Sequence, residues 1–232
     1  MTNSTTAIEL LQQLPIFTGL AAVALSPLAE QARLDHFDRE ATVFYQGDDC
    51  DRVWIVRAGR VKIVYHETDG REVILEVIAP GELFGGAVLF MPRHPATAKA
   101  MEETTETISF SSAVYAHFLT SQPGVTLKLI RMLGGRLHSM MGLQILAGER
   151  VERRLAHILI KLGDRTGRAD PEGTLITVPL SRQDLADMAG TTLETAIRTM
   201  SRFRSQGLLE TKPGGYLLIK DLERLHHQAE PT

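Results

Sequence analysis

Ser181-Arg182-Gln183-Asp184-Leu185-Ala186-Asp187-Met188-Ala189-Gly190-Thr191-Thr192-Leu193-Glu194-Thr195-Ala196-Ile197-Arg198 reads as two short helices joined at a glycine. Ser181 and Asp184 stand in helix-start spacing, where a hydroxyl and a carboxylate serve orphan N–H groups. Leu185, Ala186 and Ala189 form one apolar face. Gly190 ends that helix where a left-handed residue is needed, and Thr191 or Thr192 can cap the next. The second helix offers Thr191, Glu194, Thr195 and Arg198 outward and Ala196, Met200 and Phe203 for packing. Small residues at the crossing, with donors and acceptors at the start of the second helix, are what a DNA-reading helix-turn-helix requires.

Two apolar runs follow around Pro213-Gly214-Gly215, Leu208-Leu209 and Tyr216–Ile219, and predict a β-hairpin that serves as a wing. The tail holds Leu222 and Leu225 for a last helical turn. Before the motif lie an amphipathic helix over Arg150–Leu162, a polar loop over Gly163–Gly173 and a strand over Thr174–Val178. Gly148-Glu149 reads as a hinge.

Further back, Gln122-Pro123 opens a long helix reaching about Leu146. Ile130, Leu133, Leu137 and Met140 repeat at intervals of 3, 4 and 3, with Gln144 continuing the register. Such a stripe is a coiled-coil seam or a face packed on its own domain, and the helix length favours the seam of a homodimer. Gly134, Gly135 and Gly142 each weaken it by about 1 kcal/mol relative to alanine, so the helix is either closely packed there or easy to re-form.

From Asp38 to Phe110 the chain is β-rich, with candidate strands Val43–Tyr45, Val53–Val56, Arg60–Tyr65, Val73–Ile78 and Thr107–Phe110 between short turns. Strands at this spacing indicate an antiparallel barrel or roll. Helices are expected over Thr5–Leu14, from a Ser26-Pro27 start, and over Ala113–Leu119.

The 232 residues are 44% hydrophobic and 23% charged, an ordinary globular composition. Without a long apolar run or an N-terminal basic–apolar leader, a cytoplasmic location with no membrane partner is expected. The single cysteine, Cys50, excludes an internal disulfide and a four-cysteine iron–sulfur cluster. Net charge is −3 but uneven: residues 1–149 hold 12 Lys and Arg against 17 Asp and Glu, and residues 150–232 hold 13 against 11. The sign fits a C-terminal half that meets phosphates. No nucleophile–base motif, metal-ligand cluster or phosphate-cradling loop points to an enzyme.

Taken together the chain resembles the Crp–Fnr transcription factors, the superfamily of the cyclic-AMP receptor protein and the fumarate–nitrate reductase regulator. The similarity runs from about Leu14 to Leu225. It is carried by Leu193-Glu194-Thr195-Ala196-Ile197-Arg198, Gly59-Arg60-Val61-Lys62, Pro80-Gly81-Glu82-Leu83-Phe84-Gly85 and Ala96-Thr97-Ala98-Lys99-Ala100. The resemblance implies an α+β fold in three parts: an antiparallel, cyclic-nucleotide-binding-like β-roll over 1–120, a dimerisation helix and hinge over 121–149, and a winged helix-turn-helix over 150–232. It implies a homodimeric regulator on palindromic double-stranded DNA, with RNA polymerase as a further partner.

Glu194 and Arg198, four apart, share a helix face. Arginine can bond O6 and N7 of guanine, and glutamate can accept from the cytosine amino group. An i,i+4 ion pair on a solvated helix would use the same spacing; behind Gly190 and before a wing, base reading is the better account. Arg182, Thr191, Thr192, Thr195 and Arg202 are candidate backbone or auxiliary contacts. Leu193 stands where cyclic-AMP regulators carry another base-reading arginine, so the half-site should differ from theirs.

The effector pocket is expected around Gly81, Glu82, Leu83, Phe84, Gly85, Gly86, His94, Met140 and Met141. Cyclic-AMP-binding relatives place a glutamate and an Arg-Ser pair there; this chain has Gly86 and His94-Pro95. Missing charge-assisted bonds worth about 1.5–3 kcal/mol each argue against cyclic AMP in the usual mode. The closest-looking branch is the denitrification and nitric-oxide-responsive group, which implies haem as an alternative, with His94 or His138 (and by position His117) as axial candidates. A ligand-binding module whose helix-turn-helix serves as an interaction surface is the other alternative.

Overall fold

The computed structural model describes residues 4–68, 70, 72–89, 91–145 and 149–230, without the side chains of 4–6, 87, 88 and 136–145. The chain divides into two compact units, Met1–Arg136 and Leu137–Thr232.

In the first unit, α1 (Ser4–Gln12) and α2 (Ala22–Gln31) precede eight strands: β1 (Arg33–Phe37), β2 (Thr42–Phe44), β3 (Arg52–Ala58), β4 (Val61–His66), β5 (Glu72–Ile78), β6 (Leu83–Phe84), β7 (Thr97–Ala100) and β8 (Thr105–Ser111). They form two antiparallel sheets, ordered β1-β8-β3-β6 and β2-β7-β4-β5. The expected roll is present, with three strands the pattern did not reveal. β1, Arg33-Leu34-Asp35-His36-Phe37, has no run of buried positions and pairs only with β8, Arg33 facing Ser109. Such an edge strand needs its partner more than its own apolar content.

The helix assigned to a Ser26-Pro27 start in fact begins at Ala22, and Pro27 lies inside it. Leu25, Leu28 and Ala29 are buried and dictate the helix. The freed carbonyl belongs to Val23, whose residue is 79% exposed, so water can meet it. The Ser26 hydroxyl donates back to the Ala22 carbonyl instead of capping.

Ser111 caps α3 (Ser112–Ser121), and α4 runs over Pro123–Ile145. α4 carries two apolar faces within the first unit. Val125 and Leu129 join the core of α1, α2, α3 and the β1–β8–β3 sheet, while Leu127, Ile130 and Leu133 remain 55%, 57% and 43% exposed. The side chains of Leu137, His138, Met140, Met141 and Gln144 lie outside the described residues.

The second unit holds α5 (Val151–Thr166), β9 (Gly167–Asp170), β10 (Gly173–Ile176), α6 (Arg182–Met188), α7 (Leu193–Ser205), β11 (Leu209–Thr211), β12 (Leu217–Ile219) and α8 (Leu222–Ala229). The stretch expected to be a polar loop, Gly163–Gly173, instead completes α5 and forms β9, which pairs with β10. Thr166 Oγ1 donating to the Leu162 carbonyl keeps the last turn helical. The four strands make one sheet, β11-β12-β10-β9, so the wing hairpin is extended by two more strands.

Candidate nucleic-acid interface and β-roll cavity

The helix-turn-helix is built by caps that close locally. Ser181 and Asp184 form a complete capping box: Ser181 Oγ accepts from Asp184 N–H at 3.0 Å, and Asp184 accepts from Ser181 N–H at 2.9 Å. Gly190, at φ 56°, makes the turn. Thr192 caps α7, its Oγ1 accepting from Thr195 N–H at 3.3 Å. Ala196, Met200 and Phe203 are buried as one face, which fixes the rotation of α7 about its axis.

That rotation leaves Leu193, Glu194, Ile197 and Arg198 outward and exposed. Among the described residues, neither Glu194 nor Arg198 makes an ion pair or a side-chain hydrogen bond, so the i,i+4 pair that the spacing allows is not formed. Thr191 and Thr195 are half-buried. The auxiliary cations are engaged: Arg202 pairs with Glu152 of α5 at 2.8 Å, and Arg182 donates to Thr211 Oγ1 of the wing at 3.1 Å. Burial, and then the neighbouring Arg204, lower the Arg182 pKa.

A residue with no local signal holds the turn. Arg154 of α5 donates through Nε to the Ala189 carbonyl (2.7 Å), through one terminal nitrogen to Glu149 (2.6 Å) and through the other to Gly190 (3.4 Å). One guanidinium thus ties α5 to the carbonyls that end α6, where no intrahelical partner exists.

In the β-roll, a cavity of about 230 Å³ is lined by five of the expected pocket residues, Leu83, Phe84, Gly85, Gly86 and His94. Gly81 and Glu82 do not line it. They form the preceding turn, Gly81 N–H donating to Val56 and Glu82 accepting from Ala79 N–H. The sequence reading missed Phe44, Ile63, Glu76 and Ile78 from the facing sheet and Leu129 and Leu133 from α4. Their only sequence signal is strand alternation in β4 and β5 and the helical repeat in α4. Gly85 takes a positive φ of 71°, and a Cβ there would come 2.6 Å from Trp54. Only glycine admits that ring.

His94 is 3% exposed, and its ring stacks on Phe44 with centroids 3.7 Å apart. Its N–H donates to Asp48 and its carbonyl accepts from Gly47 N–H, which pins the backbone. Nε2 is buried without a hydrogen-bond partner. Burial lowers the pKa, the Asp48 and Asp51 carboxylates opposing it more weakly, so the ring is held toward its neutral form. His117 is exposed on α3 and is not among the residues that line the cavity.

A β-roll followed by a helix-turn-helix with an open, unpaired Glu–Arg face and a wing defines a DNA-binding transcription regulator. Comparison with known proteins gives the family. Residues 34–121 match the cyclic nucleotide-binding domain, and residues 153–228 match the Crp-like helix-turn-helix domain. The chain is 30% identical over 223 residues to a "CRP-like cAMP-activated global transcriptional regulator" of Mycobacterium tuberculosis, covering 95% of this chain and 99% of that protein. It is 29% identical over 206 residues to the "Cyclic AMP receptor protein" of Thermus thermophilus, covering 86% and 90%. Its fold is similar to that of FixK2 from Bradyrhizobium japonicum, with a TM-score of 0.76 at 24% identity over 87% of this chain and 98% of that one. The chain belongs to the Crp–Fnr family of transcription regulators. Both curated relatives are described as regulators or receptors, not as enzymes. Among the described residues, no helix is long and apolar enough to cross a membrane.

Proposed function

We propose that this protein is a homodimeric, sequence-specific transcription regulator that reads palindromic DNA through α7 and is controlled by a signal received in the β-roll. The observation that carries the DNA reading is the exposed, unpaired Glu194–Arg198 face of a helix fixed by Thr192 and its buried side. Arg198 meets guanine and Glu194 meets cytosine of one pair. Leu193 and Ile197, exposed on the same face, favour thymine methyls beside it. The dimer reading is supported by Leu127 and Ile130, apolar and exposed on a helix whose other face is already packed. RNA polymerase is the partner that regulation of this kind requires.

Cyclic AMP activates the Mycobacterium tuberculosis relative by its description. For this chain cyclic AMP is disfavoured: among the described residues, the cavity lining holds no lysine or arginine to meet a phosphate. The haem reading finds support in the free imidazole nitrogen of His94. A cavity of about 230 Å³, below the ~300–1,000 Å³ that holds drug-sized ligands, favours a much smaller molecule.

Two measurements test this. Gel-shift selection from a palindromic library should yield a salt-sensitive specific site; selection that enriches nothing with any form of the protein sinks the DNA reading. Sedimentation should find a dimer that Leu127→Glu with Ile130→Glu converts to monomer; a monomeric wild type sinks the dimer reading.

A further inference from the structure

Charge on the wing is cancelled within its own sheet. Lys212, just after β11, sets its Nζ 2.6 Å from Glu210 and 3.4 Å from Glu172 in the β9–β10 turn. Lys220, just after β12, lies 3.7 Å from Glu210 and 4.0 Å from Glu172. Each carboxylate therefore serves both lysines, and two positive charges meet two negative ones. The hydrogen bond between Lys212 and Glu210 lowers the pKa of the acid and raises that of the base, so both stay charged at neutral pH. Three separate pieces of chain supply these groups, because β11, β12 and the β9–β10 hairpin share one sheet.

This end of the wing stands beside the helix-turn-helix: Thr211, next to Lys212, accepts from Arg182 of α6 at 3.1 Å. The remaining cations there differ in their partners. Arg202 of α7 pairs with Glu152. Among the described residues, Arg182, Arg198 and Arg204 have no carboxylate partner; Arg182 and Arg204 donate to the hydroxyls of Thr211 and Ser201. Affinity for DNA of arbitrary sequence comes almost wholly from cations that displace counterions at phosphates. A phosphate that approaches Lys212 or Lys220 also approaches both carboxylates, well inside the screening length of about 10 Å at 0.1 M salt. It meets a group of zero net charge.

We propose that Glu172 and Glu210 cancel Lys212 and Lys220 so that the wing does not grip DNA of arbitrary sequence. Attachment is then left to the unpaired arginines and the base-reading face of α7. Because other sequence far outnumbers any operator, holding down that affinity is itself a source of specificity. The inference rests on the DNA reading above and gives the wing's two glutamates a part in it.

The probe is a random-sequence duplex, with the selected operator beside it, titrated with the full-length protein by fluorescence anisotropy between about 50 and 200 mM salt. Glu172→Gln with Glu210→Gln keeps the side-chain lengths and uncovers both lysines. It should tighten binding to the random duplex by roughly ten-fold near 0.1 M salt and steepen the log–log salt slope by about one for each lysine that gains a phosphate. Adding Lys212→Gln and Lys220→Gln restores zero net charge, and should return affinity and slope to within about two-fold of the wild type. An unchanged double variant overturns the proposal. A quadruple variant weaker and shallower in slope than the wild type overturns it too, because the lysines would then already hold phosphates. One that keeps the gain does the same, because the lysines would not be its source. Should the double variant lose its cooperative melt, Glu210→Gln alone must move affinity and slope in the same direction; no change there overturns the proposal. A wild type that selects no operator defeats the DNA reading. One that holds its operator, while the double variant binds the random duplex no better, defeats this inference alone.

Discussion

Arg154→Met isolates the side chain that holds the helix-turn-helix turn. Methionine keeps an unbranched apolar stem and deletes three donors, at 2.7 Å to Ala189, 2.6 Å to Glu149 and 3.4 Å to Gly190. Only Ala189 is a buried residue; the other two carbonyls belong to half-buried and exposed residues that water can serve. The cost is therefore set by one charged hydrogen bond and one stranded carbonyl, about 2–3 kcal/mol. For a domain of roughly 100 residues that lowers the melting temperature by about 10–20 °C. Far-UV circular dichroism of the full chain should show the loss. Lysine at 154, with one ammonium for three acceptors, should recover only part of it. Operator affinity should fall below the melt as well, because Ala189 and Gly190 set where α7 begins. A melt within about 2 °C of wild type, with unchanged affinity for DNA, would refute the assignment of Arg154 as the clamp of the turn.

Three further outcomes follow from the site geometry. Arg198→Ala should cost about 1–3 kcal/mol on the selected operator and relax preference at one base pair, read by competition gel shift with single-position variants; unchanged specificity would remove Arg198 from base reading. Gly85→Ala forces an L-residue into the left-handed region, at about 1–2 kcal/mol, and drives a Cβ against Trp54, so it should destabilise the roll and shift tryptophan emission. His94 and His157 both have pKa values lowered by burial from 6.5, so below that pH the unfolded chain binds protons the native one refuses. Stability should accordingly fall as pH drops through about 6.5. Unfolding series at several pH values should show a shallower acid-side loss for His94→Phe, and an identical slope would contradict the burial of that ring.

The features legible in the sequence are those whose bonds close over a few residues. Ser181 with Asp184, Gly190 and Thr192 with Thr195 are each satisfied within one turn, so residue types at fixed spacing were enough to place α6, the turn and α7. The wing was readable for the same reason, since Pro213-Gly214-Gly215 joins strands adjacent in sequence. Ser26-Pro27 shows the limit of local rules: its start signal was overridden by the burial of Leu25, Leu28 and Ala29.

Tertiary structure decided whatever joins distant positions. β1 exists because β8, about 70 residues later, supplies its hydrogen bonds. The cavity is apolar because β2, β5 and α4 converge behind His94, and no stretch of chain contains that lining. Arg154 reaches a turn 35 residues away, and Arg202 is held in an ion pair by Glu152 of α5. By itself the sequence determined that a Glu–Arg helix face would point outward, because caps and helical periodicity are local. What that helix is braced against, and what the roll can hold, depended on side chains that only folding brings within hydrogen-bonding or van der Waals range.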